Sequence, residues 1–169
     1  MARPLGCDAI DDSRGVAIAD LNNDGKLDIV VNNNNGTPAI YLNRLAYAGN
    51  WLRVNLIAGS KSNRDAIGAR VQVLLDLDGK ERKLSRWVEA GTGYSAQSDM
   101  RPHFGLGRAE RIKLLRVTWP DGSSEEFGGD TLVGRLNSTI SIAQGRGICE
   151  PTVGLVADVA KQGKGESQR

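Results

Sequence analysis

Histidine, cysteine, proline and aromatic residues are all scarce in this chain. Its 169 residues include one histidine, two cysteines and five prolines, and aromatic residues make up 5% of the total. A single histidine supplies no histidine triad for a zinc enzyme, and two cysteines without a CxxC pair form no structural zinc site. No apolar run approaches the roughly 18 residues that a membrane-spanning helix needs. Zinc enzymes and membrane-spanning proteins are therefore not expected.

The charges of the chain are balanced. Lysine and arginine total 22 against 20 for aspartate and glutamate, a net charge of +2. This balance gives no electrostatic argument for nucleic acid or a membrane surface as a partner.

The N-terminal stretch MARPLGCDAIDDSRG contains no apolar core, so no signal peptide is expected in this chain. Cys7 and Cys149 lie near opposite ends, and the sequence is compatible with a disulfide between them or with two unlinked thiols.

Glycine, by contrast, is abundant, and short apolar segments lie between the glycine-containing turns. The 21 glycines suit strands joined by tight turns. Asp78-Gly79 and Pro120-Asp121-Gly122 each stand between two extended runs as turn signals. No segment before residue 150 keeps a helical period of 3.6 over three turns, so the chain is predicted to be all-β. The strand-like segments lie within residues 15–20, 27–31, 39–43, 51–59, 69–91, 111–129 and 138–143.

The segment 51–59, WLRVNLIAG, shows the two-residue period of a half-buried strand. Trp51 and Arg53 alternate with Leu52, Val54 and Leu56. Successive side chains of a strand point to opposite faces, and the second set is the more apolar. That set is therefore predicted to face a core.

The nine residues DLNNDGKLD, 20–28, concentrate side-chain oxygens. Three carboxylates this close repel one another unless a positive charge lies among them. Calcium binds about six to eight hard oxygens, and Gly25 stands at the sixth position, where such a loop turns sharply. The twelfth position is Val31 instead of the glutamate of an EF-hand, and the chain continues into a strand. A calcium site is predicted, with a metal-free polar turn as the alternative. The predicted ligands are the side chains of Asp20, Asn22, Asp24 and Asp28 and the carbonyl of Lys26, whose side chain should point to solvent.

The stretch GVAIADLNNDGKLDIVVNNNNGTPAIYLN, residues 15–43, resembles the FG-GAP or VCBS repeat. That repeat is the blade unit of integrin-like β-propellers, and its loop between two strands binds calcium. The resemblance therefore implies an incomplete propeller blade with the same five loop residues as ligands. Because one blade cannot bury both of its faces alone, the resemblance also implies further blades of the same protein as partners.

Residues 50–142 resemble the ASPIC/UnbV domain. The motifs SNRDAIGARV, GYSAQ, HFGLG and VTWPDG occur here in the expected order. This domain follows a propeller in cartilage-acidic-protein-like proteins and in many bacterial surface or secreted proteins. Members often carry serine where Ala96 stands, which leaves no hydroxyl here for any role at that position.

Together these resemblances predict a partial β-propeller blade followed by a β-sandwich-like domain. The predicted divisions are residues 1–48 for the blade, 49–147 for the ASPIC/UnbV-like domain and 148–169 for a disordered tail. The chain is expected to be the C-terminal part of a longer extracellular or cell-surface protein. Its predicted function is that of a calcium-binding adhesion or recognition module that binds a protein or a glycan.

An enzyme acting on carbohydrate, or an accessory domain of one, is the competing hypothesis. His103 with Asp99 is a candidate general base, and two of Asp65, Glu89 and Asp99 could form a carboxylate pair. The sequence spacing selects none of these combinations, so no catalytic residue is predicted. For sugar stacking, Tyr94 and Trp119 at strand ends are the better placed aromatic residues. Trp87 is expected to be half-buried, and core packing is favoured over ligand binding for each tryptophan.

Overall fold

The computed structural model describes residues 10–46 and 49–149. These residues form eleven strands and one short 3-10 helix at Gly129–Leu132, without an α-helix in the part described. The predicted all-β fold is confirmed. No helix in the described part of the chain is long and apolar enough to cross a membrane. The strands are β1 Ser13–Ala19, β2 Asp28–Asn33, β3 Ala39–Tyr41, β4 Asn50–Ile57, β5 Arg70–Leu77, β6 Lys80–Trp87, β7 His103–Gly107, β8 Ile112–Thr118, β9 Ser124–Gly128, β10 Ser138–Ala143 and β11 Gly147–Cys149.

The first three strands form a separate antiparallel sheet in the order β1-β2-β3. Val16 of β1 lies opposite Val31 of β2, and Val30 of β2 lies opposite Ile40 of β3. Because neighbouring residues of a strand point to opposite faces, both faces of this sheet carry apolar side chains. Val16 is 46% exposed and Ile40 is 61% exposed. The sheet is therefore a partial blade, as the sequence predicts.

The other eight strands form two four-stranded sheets, in the orders β11-β10-β4-β7 and β6-β5-β8-β9. β4 and β10 pair in parallel, whereas the remaining neighbours are antiparallel. A single apolar core draws on both sheets, and the β4 residues Leu52, Val54 and Leu56 contribute to it as predicted. This packing confirms the β-sandwich-like second domain.

Both predicted turns are present. The β5–β6 hairpin turns at Asp78 and Gly79, which have φ values of 54° and 73° and so both adopt left-handed backbone.

Two further strands, β7 and β11, are not predicted from the sequence. β11 includes Ile148 and Cys149, which the sequence places in the tail, while 150–169 and Cys7 lie outside the described residues.

Core packing, favoured for each tryptophan from the sequence, holds for Trp119 but not for Trp87. Trp119 is a core residue with 2% exposure, and its indole N–H donates to Glu125 at 2.8 Å. Trp87, expected to be half-buried, is 54% exposed, and Tyr94 is 74% exposed. Trp119 is buried because β8 lies in the middle of its sheet and the core covers its end, so it offers no face for a ligand.

Candidate functional site

Asp20 organises the first half of the DLNNDGKLD loop, which joins β1 to β2. Its side chain is buried at the end of β1. One carboxylate oxygen accepts the backbone N–H of Asp24 at 3.0 Å, and the other accepts that of Gly25 at 2.9 Å. The four residues 21–24 are therefore wrapped around one carboxylate.

Asp28 closes the loop at the first residue of β2. It is 1% exposed. Its two oxygens accept the backbone N–H groups of Leu21 at 3.0 Å and of Asn43 at 2.8 Å. The second bond ties the loop to the segment after β3, so Asp28 connects all three strands of the blade.

Asp24 lies on the outer side of the loop, next to Lys26. Its oxygens accept the backbone N–H of Lys26 at 2.9 Å and the side-chain amide of Asn22 at 3.1 Å. The Lys26 ammonium lies 3.2 Å from the same carboxylate. The pKa of Asp24 is lowered, first by the Lys26 backbone N–H and then by Asn22 and the ammonium. The expectation that the Lys26 side chain points to solvent is thus wrong, because the nearby carboxylate attracts it.

The second domain supplies another cation to the loop, from β4. Arg53 is 4% exposed and donates to Asp20 at 3.4 Å and to the side-chain oxygen of Asn23 at 2.9 Å. It also donates to Thr139 of β10 at 2.9 Å. Burial lowers the pKa of Arg53, as does nearby Arg101, while Asp20 and Asp99 oppose that shift. The positive charge among the loop carboxylates therefore comes partly from the neighbouring domain.

Gly25 rests in a cradle formed by Trp51 and His103. The His103 Nε2–H donates to the Gly25 carbonyl at 2.9 Å, since a carbonyl can only accept. The His103 ring stacks on Trp51, with centroids 5.7 Å apart and planes at 8°. A Cβ added at Gly25 would lie 1.9 Å from Trp51 Nε1, and the residue has a φ of 84°. Only glycine fits this position without displacing the tryptophan.

Asp99 and Arg101 form a second ion pair beside this cradle. The Arg101 guanidinium donates to both Asp99 oxygens, with the shortest contact at 2.6 Å. Burial acts to raise the pKa of Asp99, but the hydrogen bonds from Arg101 outweigh it and the pKa is lowered. His103 is bonded to Gly25, and burial lowers its pKa. Asp99 therefore does not orient His103, and the base–carboxylate arrangement considered from the sequence is not formed.

The segment containing GYSAQ lies along the free edge of β1. Ser98 Oγ accepts the Ile18 N–H at 3.1 Å, and the Asp99 N–H donates to the Ile18 carbonyl at 3.0 Å. A Cβ added at Gly15 would lie 2.9 Å from the Tyr94 carbonyl and 3.3 Å from Ala96 Cβ. The second domain thus covers an otherwise unpaired strand edge of the blade.

All five predicted ligand residues lie on this one loop. No three aspartate, glutamate, histidine or cysteine side chains converge as a metal-binding group anywhere in residues 10–46 and 49–149. Sequence reasoning missed the residues that hold the loop from outside, namely Trp51, Arg53 and His103. The available signal was Arg53 itself, a charged side chain within the most regular apolar strand of the chain.

Comparison with known proteins gives two family matches. The "ASPIC and UnbV" model matches residues 59–147, more than half of the chain. The "FG-GAP repeat" model matches residues 14–50, which include the loop. Both sequence resemblances are thereby confirmed.

Three curated relatives are each named Cartilage acidic protein 1. The Xenopus tropicalis protein is 31% identical over 137 residues, covering 78% of this chain and 20% of the relative. The Mus musculus protein is 29% identical over 111 residues, covering 64% of this chain and 16% of the relative. The Homo sapiens protein is 27% identical over 131 residues, covering 76% of this chain and 19% of the relative. This chain thus spans about a fifth of the length of these relatives, and none of the matched names denotes an enzyme. The chain belongs to the ASPIC and UnbV family and carries an FG-GAP repeat ahead of the family's domain.

Proposed function

We propose that this chain is a calcium-binding recognition module of an extracellular protein, which binds a protein or a glycan. The observation that carries the proposal is the docking of an oxygen-rich loop onto the second domain. Asp20 contacts Arg53, and Gly25 contacts Trp51 and His103. A cation held by this loop would stabilise the blade and the contact between the two domains together.

The donor chemistry of the loop fits calcium. Its side chains offer carboxylate and amide oxygens, the hard ligands that calcium prefers, and no sulfur or imidazole. Asp20, Asn22, Asp24 and Asp28 would hold the ion with the carbonyl of Lys26, and the Lys26 ammonium would have to leave Asp24. With a dissociation constant of about 10⁻⁴ to 10⁻³ M, typical of extracellular modules, the ion would fix the loop and take no part in chemistry.

Neighbouring blades of the same protein are the partners we propose for the first sheet. Its apolar side chains remain exposed on both faces, as at Val16, Ile18 and Ile40. Propeller blades bury such faces against one another, and the matched FG-GAP repeat is a unit of this kind. Recognition of an outside ligand is accordingly assigned to the second domain.

Isothermal titration with calcium tests the proposal directly. We expect the unaltered chain to bind one calcium ion, and Asp24→Ala to abolish measurable binding because it removes a charged ligand. Asp24→Asn should retain weaker binding, since the amide keeps one oxygen. Asp130→Ala removes an exposed carboxylate far along the chain and serves as the control for general loss of charge.

An absence of calcium binding by the unaltered chain at up to 10 mM ion, roughly tenfold above the expected range, would contradict the proposal. Missing blades would not explain that result, because Arg53 and His103 of the same chain already hold the loop in place.

Lys26→Gln should tighten calcium binding by about two- to fivefold. The Lys26 ammonium competes with calcium for Asp24, at 3.2 Å, and an exposed ion pair is of this modest strength. Lys113→Gln, which breaks ion pairs with Asp76 and Glu81 in the other domain, is the matched control. Equal affinities for Lys26→Gln and the unaltered chain would show that Asp24 is not a ligand.

Carbohydrate hydrolysis is the competing proposal, and one observation bears on it. Asp65 and Asp99 line the same cleft, of about 360 Å³. A glycosidase needs one of its two carboxyl groups protonated, whereas Arg101 lowers the pKa of Asp99. Asp99 therefore suits only the ionised role in such a carboxyl pair.

A further inference from the structure

Two clefts of the second domain join to form one groove beside the blade. The first, of about 360 Å³, contains Asn55, Asp65 and Gln97, and the second, of about 290 Å³, contains Trp87. The residues 98–101 line both clefts, so the two adjoin along this segment. We call this surface the Trp87 groove. The groove contains residues of the SNRDAIGARV motif and the residues that follow GYSAQ. Neither set takes part in the proposed calcium-binding loop.

Trp87 provides an aromatic platform at one end of the groove. Its side chain is 54% exposed, at the end of β6. The Arg70 guanidinium lies 5.4 Å from the ring centroid and so holds one side of the indole. An exposed ring fixed in this way presents a flat apolar face, which matches the C–H face of a pyranose.

The charged side chains that line the groove balance one another. The lining includes three guanidinium groups and three carboxylates, namely Arg53, Arg86, Arg101, Asp65, Glu89 and Asp99. The bidentate pair of Arg101 and Asp99 lies where the two clefts meet and is fixed before any ligand arrives. Such a pair offers donors and acceptors side by side, as a sugar diol requires.

This charge balance selects among ligand classes. An anionic glycan would need an excess of cations, and the groove has none. A neutral carbohydrate needs only the aromatic platform and a few fixed polar groups.

We propose that the Trp87 groove binds a neutral oligosaccharide. One ring stacks on Trp87, and hydroxyl groups of a neighbouring ring bond to the Asp99–Arg101 pair. Asn55 and Gln97 contact the far end of the chain. The inference rests on the proposed recognition function and specifies a glycan as its ligand.

Titration of the full chain with defined sugars tests the inference. The probes are cellohexaose, xylohexaose, mannohexaose and chitohexaose, with a chondroitin hexasaccharide as the anionic comparison. We expect at least one neutral hexasaccharide to bind, and Trp87→Ala to weaken that binding by about tenfold or more, as loss of one stacked ring does elsewhere. Trp87→Phe should recover part of the loss because it keeps a ring.

Tyr94→Ala is the matched control. Tyr94 is 74% exposed yet lines neither cleft, so its removal should leave affinity within about twofold, the scatter usual for surface changes. The inference is overturned by equal losses in Trp87→Ala and Tyr94→Ala, by preference for the chondroitin probe, or by binding of none of the five sugars.

The same titrations with Asp24→Ala separate this inference from the calcium proposal. Calcium binding without sugar binding overturns the groove assignment and leaves the loop assignment intact. Sugar binding by an unaltered chain that binds no calcium supports the groove and contradicts the calcium proposal alone. Sugar binding that persists in Asp24→Ala shows that the groove works without the loaded loop.

Discussion

Arg53→Met should lower the free energy of unfolding by about 3–5 kcal/mol, the usual cost of leaving a buried charge without its partner. The substitution keeps most of the side-chain volume but removes the guanidinium from Asp20, whose side chain is fully buried. It also leaves Asn23 and Thr139 without their donor. Urea unfolding followed by tryptophan fluorescence measures the loss.

Arg116→Met provides the comparison for Arg53→Met. Arg116 pairs with Glu126 on the outer sheet face, where both side chains are nearly half exposed. Loss of an exposed pair costs about 0–1 kcal/mol. A loss for Arg53→Met no larger than that for Arg116→Met would contradict the role of Arg53 in joining the domains. Asp20→Asn in the Arg53→Met background should restore part of the stability, because it removes the unpaired charge.

Gly25→Ala should undock the loop from the second domain. The new methyl group would lie 1.9 Å from Trp51 Nε1, and the φ of 84° adds backbone strain. Left-handed backbone costs alanine about 1–2 kcal/mol, and steric overlap in a packed site adds about 1–3 kcal/mol. Gly122→Ala measures the backbone contribution alone, since Gly122 has a φ of 86° but nothing lies within 4 Å of an added Cβ.

His103 reports on the same event by NMR, because it is the chain's only histidine. Burial lowers its pKa in the docked state, so Gly25→Ala should move that pKa upward toward the usual value. Gly122→Ala should leave it unchanged. If Gly25→Ala and Gly122→Ala proved equally stable with identical His103 titrations, Trp51 would not be a wall of the Gly25 cradle.

Local chemistry explains which parts of the fold could be predicted. The Asp78-Gly79 pair predicts a hairpin because both residues tolerate the left-handed backbone that the turn requires. The core face of β4 follows from the alternation of Leu52 and Val54 with polar neighbours. Asn35, two residues after β2, adopts a φ of 52°, a left-handed conformation that asparagine tolerates. Each of these features depends on residues within one turn or strand.

Long-range pairing explains which parts of the fold could not be predicted from the sequence. Arg53 lies on the non-core face of β4, and its burial depends on Asp20, 33 residues earlier. Trp87 and Trp119 both follow strand-like runs, yet β6 is an edge strand whereas β8 is internal. The strand β11 has three residues and exists only through its pairing with β10. Sequence periodicity contains no information on these neighbours.

The parallel pairing of β4 with β10 has a consequence for the order of events during synthesis. Leu52 faces Ser138 across this pair, so β4 leaves the ribosome long before its partner has been translated. The closing of a contact this distant is slow compared with hairpin formation. The DLNNDGKLD loop is translated even earlier, and its own Lys26 can already pair with Asp24. Arg53 contacts Asp20 and Thr139 together only after β10 has been made. The full set of contacts that docks the loop is therefore completed only with that strand.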